Sequence, residues 1–235
     1  MGASGCCGWN RRSSRCSQYV AELGGADALE LELRTVDMSV GEHKQAAFLQ
    51  VGKGALVCCT FCAEQAFQVN PFGKLPALSD GVTHVFESGA CLLYLHDRFE
   101  AQLYDGRPDA IAARARASAW VLFANSTLGN GLYLQHMQER EAPGLLGGLE
   151  ALLARQPFLE KDGFSVADVA VGGLLLYLPM MVPHLSLDPF PAVRAYCARL
   201  AKRKAYSSTL GARLAGAADG SAPPAPPTRG GLPVR

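Results

Sequence analysis

The apolar residues follow two different periodic patterns along the chain. In residues 29–36, LELELRTV, they alternate with a period of two, which predicts a half-buried strand. Beyond residue 107, apolar residues recur at helical spacing in stretches at 110–125, 132–140, 145–155, 166–178 and 192–202. The patterns predict an α/β domain at residues 14–100, followed by an all-α domain at residues 108–213.

Residues 69–99 predict a loop, a hairpin and a helix in succession. The loop NPFGKLPAL is punctuated by Pro and Gly and enters an extended run around Pro76. Residues 79–81 have the Asp-Gly chemistry that joins antiparallel strands, and residues 84–86 follow as the return strand. Apolar residues then recur at helical spacing, so a helix is expected to start at Ser88.

Local signals set the other boundaries. Residues 15–23 predict a short helix that is closed by Gly24 and Gly25. Ser165, followed by an acid at Asp168, predicts a capping box, which makes Asp168 structural and not catalytic. Residues 1–13 are irregular, residues 101–107 form a linker, and the Pro/Gly/Ala-rich tail at 214–235 is expected to be disordered.

Charge and cysteine content limit the kinds of partner and the cellular compartment that the sequence favours. The 22 basic and 21 acidic residues nearly cancel, so no long-range field favours nucleic acid or an anionic membrane. The longest apolar run, at 174–182, is far shorter than the roughly 20 residues that span a bilayer, so no membrane helix is expected. Eight cysteines without regular spacing indicate a reducing compartment, and we expect a cytoplasmic protein.

Five motifs follow one another along the chain: GEHK, NPFGKLPAL, an Asp-Gly turn, FES at a helix start, and the capped helix at Ser165. In this order they resemble the cytosolic glutathione S-transferases over about residues 14–50 and 69–210, most closely the phi and theta-like classes that use a serine. The resemblance implies a thioredoxin-like domain before a helical bundle, and a homodimer that conjugates glutathione to small electrophiles. The alternatives are a non-catalytic interaction module, or an isomerase, dehalogenase or thiol transferase of the same fold.

The resemblance also implies how glutathione is held. Glu87 would bind the ammonium of the γ-glutamyl group and Ser88 its carboxylate, because a helix N-terminus presents free N–H groups. The peptide would lie along the strand edge after a cis Leu75–Pro76 bond, with the Leu75 backbone pairing with the cysteinyl part. The glycyl carboxylate would be held by His43, Lys44 and Lys74.

A hydroxyl at a helix N-terminus would lower the pKa of the glutathione thiol and favour its thiolate. The candidates are Ser13, Ser14, Cys16 and Ser17. Ser14 matches the resemblance best, since it precedes His43 by 29 residues, enough for a helix and a strand, and Ser13 is second. An active Cys16 would instead imply thiol transfer through a mixed disulfide.

Two segments depart from the resemblance. Residues 1–10 carry no strand pattern, although the family places its first strand there. Residues 51–68 are apolar and rich in cysteine, and their deletion would join FLQ to VNPFGKLPAL. Cys59 and Cys62 have a C-x-x-C spacing, which is typical of zinc or redox sites, but no second pair supports either. We hypothesise that residues 51–68 are an in-frame retained intron, which sequencing the transcript across residues 50–69 would test.

Overall fold

The computed structural model describes residues 11–33, 55–57, 72, 76–79, 82–100 and 108–207. The predictions for the linker at 101–107, for the tail at 214–235 and for the Cys59–Cys62 pair lie outside this part of the chain. The predictions for four site residues, His43, Lys44, Lys74 and Leu75, also lie outside the described part.

A four-stranded sheet forms the first half of the fold, in the order β1-β2-β3-β4. The strands are β1 (Glu32–Leu33), β2 (Ala55–Val57), β3 (Ala77–Ser79) and β4 (His84–Phe86). β1 and β2 are parallel, whereas β3 is antiparallel to both β2 and β4. Ala77 pairs with Phe86 and Ser79 with His84, so the predicted hairpin is confirmed.

β2 comes from the segment that the sequence marks as an insert. It lies between β1 and β3, with Leu56 opposite both Leu33 and Leu78. A strand is needed at this place to join β1 to the hairpin. Without it, β1 and β3 would each leave the backbone N–H and C=O groups of one edge unpaired. Residues 55–57 supply it here, and the origin of residues 51–68 stays a hypothesis.

The first helix, α1 (Arg11–Glu22), begins four residues before the predicted start. Its C-terminus is a Schellman motif: Gly25 N–H bonds to Val20 O at 2.9 Å and Gly24, with φ of 113°, bonds to Ala21 O at 3.4 Å. The predicted glycine stop is therefore confirmed. The strand predicted from Leu29 starts late, because residues 26–30 form turns in which Glu30 has a φ of 53°.

The remaining elements are helical. They are α2 (Ser88–Glu100), α3 (Ala110–Leu122), a π-helical segment (Phe123–Leu128), α4 (Gly129–Tyr133), α5 (Gln135–Leu153), α6 (Val166–Met181), α7 (Pro191–Ala201) and α8 (Lys204–Tyr206). The helix predicted from Ser88 is confirmed. The separate helices predicted at 132–140 and 145–155 are wrong, because α5 runs through Pro143. None of the described helices is long and apolar enough to cross a membrane.

α6 is the centre of the helical domain, as its apolar sequence predicts. All thirteen residues from Val166 to Leu178 are buried. The predicted capping box is present, since Asp168 Oδ2 accepts from Ser165 N–H at 2.9 Å and Ser165 Oγ accepts from Ala167 N–H at 3.2 Å. Asp168 is therefore a structural residue.

The other oxygen of Asp168 ties two more segments to α6. Oδ1 accepts from Leu159 N–H at 3.0 Å and from Tyr196 O–H at 2.9 Å, so the loop before α6 and helix α7 meet on one carboxylate. Burial raises the pKa of Asp168, although the bonds from Leu159, Ser165 and Tyr196 act in the opposite direction.

A second polar cluster joins α1 to α2. Tyr19 and His96 are both almost fully buried, and the Tyr19 hydroxyl lies 3.0 Å from His96 Nδ1. Tyr19 O–H also donates to Glu100 Oε2, which lies 2.7 Å from His96 Nδ1. Burial favours the neutral Glu100, but the bonds to His96 and Tyr19 outweigh it, so the pKa of Glu100 is lowered.

Replacing Asp168 should destabilise the helical domain strongly. Asp168→Ala leaves three donors without an acceptor, two of them buried, and each costs about 1–3 kcal/mol, so the free energy of unfolding should fall by at least about 3 kcal/mol. Tyr196→Phe removes one of these bonds and should lower it by about 1 kcal/mol. Urea denaturation at neutral pH measures both. Equal losses in the two variants would contradict the network.

Glu100 should make stability depend on pH in the acidic range. Since its pKa in the folded state is lowered below 4.5, its charged form stabilises the fold above that pH, and this contribution is lost as the pH falls through the folded pKa. The free energy of unfolding should therefore differ most between wild type and Glu100→Gln at neutral pH. Urea titrations at pH 7, 5, 4 and 3 test this; a difference independent of pH would refute it.

Candidate active site

Ser88 is the first residue of α2 and has an exposed fraction of 1%. The preceding residue, Glu87, is exposed and has a φ of 69°, in the left-handed region that non-glycine residues seldom adopt. Its carbonyl accepts the first hydrogen bond of the helix, from Cys91 N–H at 2.9 Å. Glu87 and Ser88 thus lie where the free N–H groups and positive dipole end of α2 favour an anion.

Two side chains from other elements bond to the Ser88 hydroxyl. Arg15 of α1 donates from Nη2 to Ser88 Oγ at 3.1 Å, and Asn125 of the π-helical segment donates from Nδ2 at 3.3 Å. Arg15 Nη2 also donates to Asn125 Oδ1 at 2.8 Å, and its Nη1 donates to Ala170 O at 3.1 Å. Arg15 is 1% exposed, so a buried guanidinium lies beside the start of α2.

The first turn of α1 lies close to this network. Ser13 and Ser14 are in that turn, directly before Arg15, although their side chains are outside the described part. The contacts of Arg15 and Cys16 with Ser88 bring the N-terminal ends of α1 and α2 together. Two positive helix ends therefore converge where one anionic ligand can meet both. The catalytic roles of Ser14 and Ser13 stay predictions.

The structure argues against Cys16 as an alternative nucleophile. Its side chain is fully buried, and its Sγ donates to the Ser88 carbonyl at 3.8 Å. A thiol that forms mixed disulfides must be accessible and ionised, and burial disfavours both. Cys16 is a core residue of α1.

The resemblance places the glutathione peptide along a free strand edge after Pro76, but no such edge is free directly after this residue. Pro76 is buried, and β3 begins directly after it. Ala77 and Leu78 are paired on both sides, with β2 and with β4, so no free strand edge remains at these residues. An added strand would have to pair before Ala77, which keeps Leu75 as the predicted contact.

Sequence reasoning missed Arg15 and Asn125. Arg15 shares one face of α1 with Cys16, Tyr19 and Val20, all of which are buried, so its place on an apolar stripe was a usable signal of burial. Asn125 gave no such signal, since the π-helical segment that positions it shifts the register of the helix.

Comparisons with known proteins agree with this architecture. Residues 132–204 match the family model described as the glutathione S-transferase C-terminal domain. Glutathione S-transferase 3 of Zea mays is 29% identical over 215 residues, which cover 82% of this chain and 87% of that protein. A glutathione S-transferase of Silene vulgaris is 27% identical over 204 residues, covering 77% and 86%.

Solved structures show the same fold. Glutathione S-transferase-I, determined with lactoylglutathione, aligns with a TM-score of 0.61 at 22% identity, covering 86% of this chain and 94% of that one. The transferase URE2P8 of Phanerochaete chrysosporium aligns with a TM-score of 0.62 at 19% identity, covering 89% and 93%. A thioredoxin-like domain followed by a helical domain is therefore confirmed. In sequence and in fold, the chain is therefore similar to the cytosolic glutathione S-transferases.

Proposed function

We propose that this protein is a glutathione transferase that conjugates the thiolate of glutathione to small electrophiles. The observation that carries the proposal is the convergence of the α1 and α2 N-termini on the buried Ser88. Its relatives among plants are named glutathione S-transferases, which supports the same activity. We place the activity in the cytoplasm, since Cys91 and Cys197 are free thiols in the described part of the chain.

In this proposal the γ-glutamyl end of glutathione lies at α2. Ser88 and the free N–H groups of α2 hold its carboxylate, while the exposed Glu87 binds its ammonium. His43, Lys44 and Lys74 hold the glycyl carboxylate, and Leu75 pairs with the cysteinyl backbone. Each assignment follows the resemblance, and the position of Ser88 at a helix start supports the first.

The serine of the first turn of α1 would act on the sulfur. A free thiol has a pKa of about 8.5, so most of it is protonated at neutral pH. A hydrogen bond from the Ser14 hydroxyl, together with the positive end of α1, stabilises the thiolate and lowers that pKa. The thiolate then attacks the electrophile and the conjugate forms. We assign this role to Ser14 first and to Ser13 second, in a phi- or theta-like manner.

The outer face of α3 offers a surface for a homodimer. Ile111 and Leu122 are 87% and 60% exposed, and eleven residues, about three helical turns, place them on one side of the helix. Such exposed apolar side chains mark an interface when they form one patch. We propose that two copies associate through α2 and α3.

Replacing Ser14 should slow conjugation and leave glutathione binding nearly intact. Wild type should be retained on immobilised glutathione, and Ser14→Ala should lower kcat/KM about 10²-fold, the scale expected for one positioned hydroxyl. The pKa of bound glutathione, read from the pH dependence of thiolate absorbance, should rise towards 8.5.

Ser13→Ala is the matched control for Ser14→Ala and should change kcat/KM much less. Full rates in both variants would show that neither serine activates the thiol. A wild type that binds glutathione without conjugating it would favour the interaction module instead.

A charge on the outer face of α3 should separate the dimer. Leu122→Glu places a carboxylate on the proposed interface, and desolvating it there would weaken association. Light scattering after size exclusion should shift from a dimer towards a monomer of 24.9 kDa. Met181→Glu, at an apolar residue that is 48% exposed at the end of α6, is the control and should leave the dimer intact. A monomeric wild type would contradict the interface.

A further inference from the structure

The orientation of the Asn125 amide follows from its partner. An arginine side chain can donate hydrogen bonds but cannot accept them, so the oxygen of the amide must face Arg15 Nη2, at 2.8 Å. The NH2 group of the same amide then faces Ser88 Oγ, at 3.3 Å. Asn125 therefore acts as a donor towards Ser88.

This orientation of Asn125 determines which hydrogen bonds the Ser88 hydroxyl accepts and which it can still donate. A serine hydroxyl has two acceptor lone pairs and one proton to donate. Arg15 Nη2 and Asn125 Nδ2 both donate to Oγ, which occupies both lone pairs. What remains is the O–H, and within the described part of the chain it has no acceptor, although Ser88 is 1% exposed. The next partner of Ser88 must be an acceptor.

Two glycines allow this arrangement. A Cβ at Gly89 would lie 2.6 Å from Asn125 Nδ2, and a Cβ at Gly173 would lie 2.6 Å from Arg15 Cγ. Both distances are below normal contact, so a side chain at either place would push Arg15 or Asn125 away from Ser88. The π-helical segment, a rare conformation that often occurs at functional sites, supplies Asn125 from the helical domain.

We infer that Arg15 and Asn125 are positioning residues that make Ser88 an obligate donor, so that the site selects the γ-glutamyl carboxylate of glutathione. Arg15 brings a positive charge from α1, and Asn125 brings the helical domain to the same hydroxyl. Ser88 binds the carboxylate directly. Arg15 and Asn125 act on the carboxylate only through their hydrogen bonds to Ser88. Both domains therefore contribute to a subsite that the resemblance assigns to the first domain alone. This inference rests on the proposed function.

A purely structural role for Asn125 makes a different prediction. If Asn125 only joined the π-helical segment to α1, its loss would weaken every ligand of the site to the same extent. If it sets the donor state of Ser88, the loss is specific to ligands that carry the carboxylate. Two peptides distinguish these cases: glutathione, and 4-aminobutyryl-cysteinyl-glycine, which lacks the γ-glutamyl carboxylate and is otherwise identical.

Calorimetric titration of both peptides tests the inference. Wild type should bind glutathione at least about tenfold more tightly than the decarboxylated peptide, since hydrogen bonds to charged groups are among the strong ones. Asn125→Ala should reduce that ratio to about threefold or less, mainly by weakening glutathione. Asn130→Ala, which removes the nearby Nδ2 bond to Ser126 O on the same helical stretch, should keep the wild-type ratio.

Asn125→Asp sharpens the test. An aspartate keeps an acceptor towards Arg15, but its second oxygen accepts the Ser88 proton and leaves nothing to donate to the ligand. The ratio should then fall to about one, although the contact with Arg15 is preserved and the fold is retained. This variant also tests the inference if Asn125→Ala does not fold.

The outcomes separate the inference from the proposed function. If wild type binds and conjugates glutathione and both Asn125 variants keep its preference for the carboxylate, the inference is wrong and the proposed function stands. If wild type binds neither peptide, the proposed function fails and the inference fails with it. A selective loss of the preference in both Asn125 variants, but not in Asn130→Ala, supports the inference.

Discussion

The buried guanidinium of Arg15 is the constraint on which the site depends. It donates to Ser88 at the start of α2, to Asn125 of the π-helical segment and to the Ala170 carbonyl of α6. An arginine is costly to bury unless its N–H groups find acceptors, so these elements must assemble together around it. The same contacts bring the N-termini of α1 and α2 to one place, which is what an anionic ligand needs.

A second set of contacts holds α1 against the helical domain from its other end. Arg203 forms a bidentate ion pair with Glu22, at 2.8 and 2.7 Å, and its guanidinium lies 3.6 Å from the centre of the Phe164 ring. Phe164 precedes the capping box of α6, so α1, α6 and the end of the helical domain are linked. α1 is therefore fixed near both termini, which gives the serines of its first turn a defined place relative to Ser88.

Features with local signals could be predicted from the sequence. The hairpin follows from its Asp-Gly turn, the glycine stop of α1 from its Schellman motif, and the start of α6 from its capping box, because in each case neighbouring residues satisfy the backbone. Ser88 was placed correctly at a helix start for the same reason. These signals fix single elements and say little about how the elements meet.

Other features depend on contacts between distant residues and could not be predicted. Nothing local indicated that residues 55–57 fill the sheet between β1 and β3, or that α5 continues through Pro143. The partners of Ser88 lie 73 and 37 residues away, on elements that only the tertiary fold brings together. A sequence motif thus pointed to Ser88, while the residues that bond to its hydroxyl could be found only in the structure.

A crystal structure of the protein with glutathione bound tests the role of Ser88 most directly. In it, the γ-glutamyl carboxylate should accept the Ser88 O–H at about 2.6 Å, with Arg15 and Asn125 still donating to the same Oγ. A carboxylate bound elsewhere, or a Ser88 that has turned away from Asn125 to accept from the ligand ammonium, would contradict it.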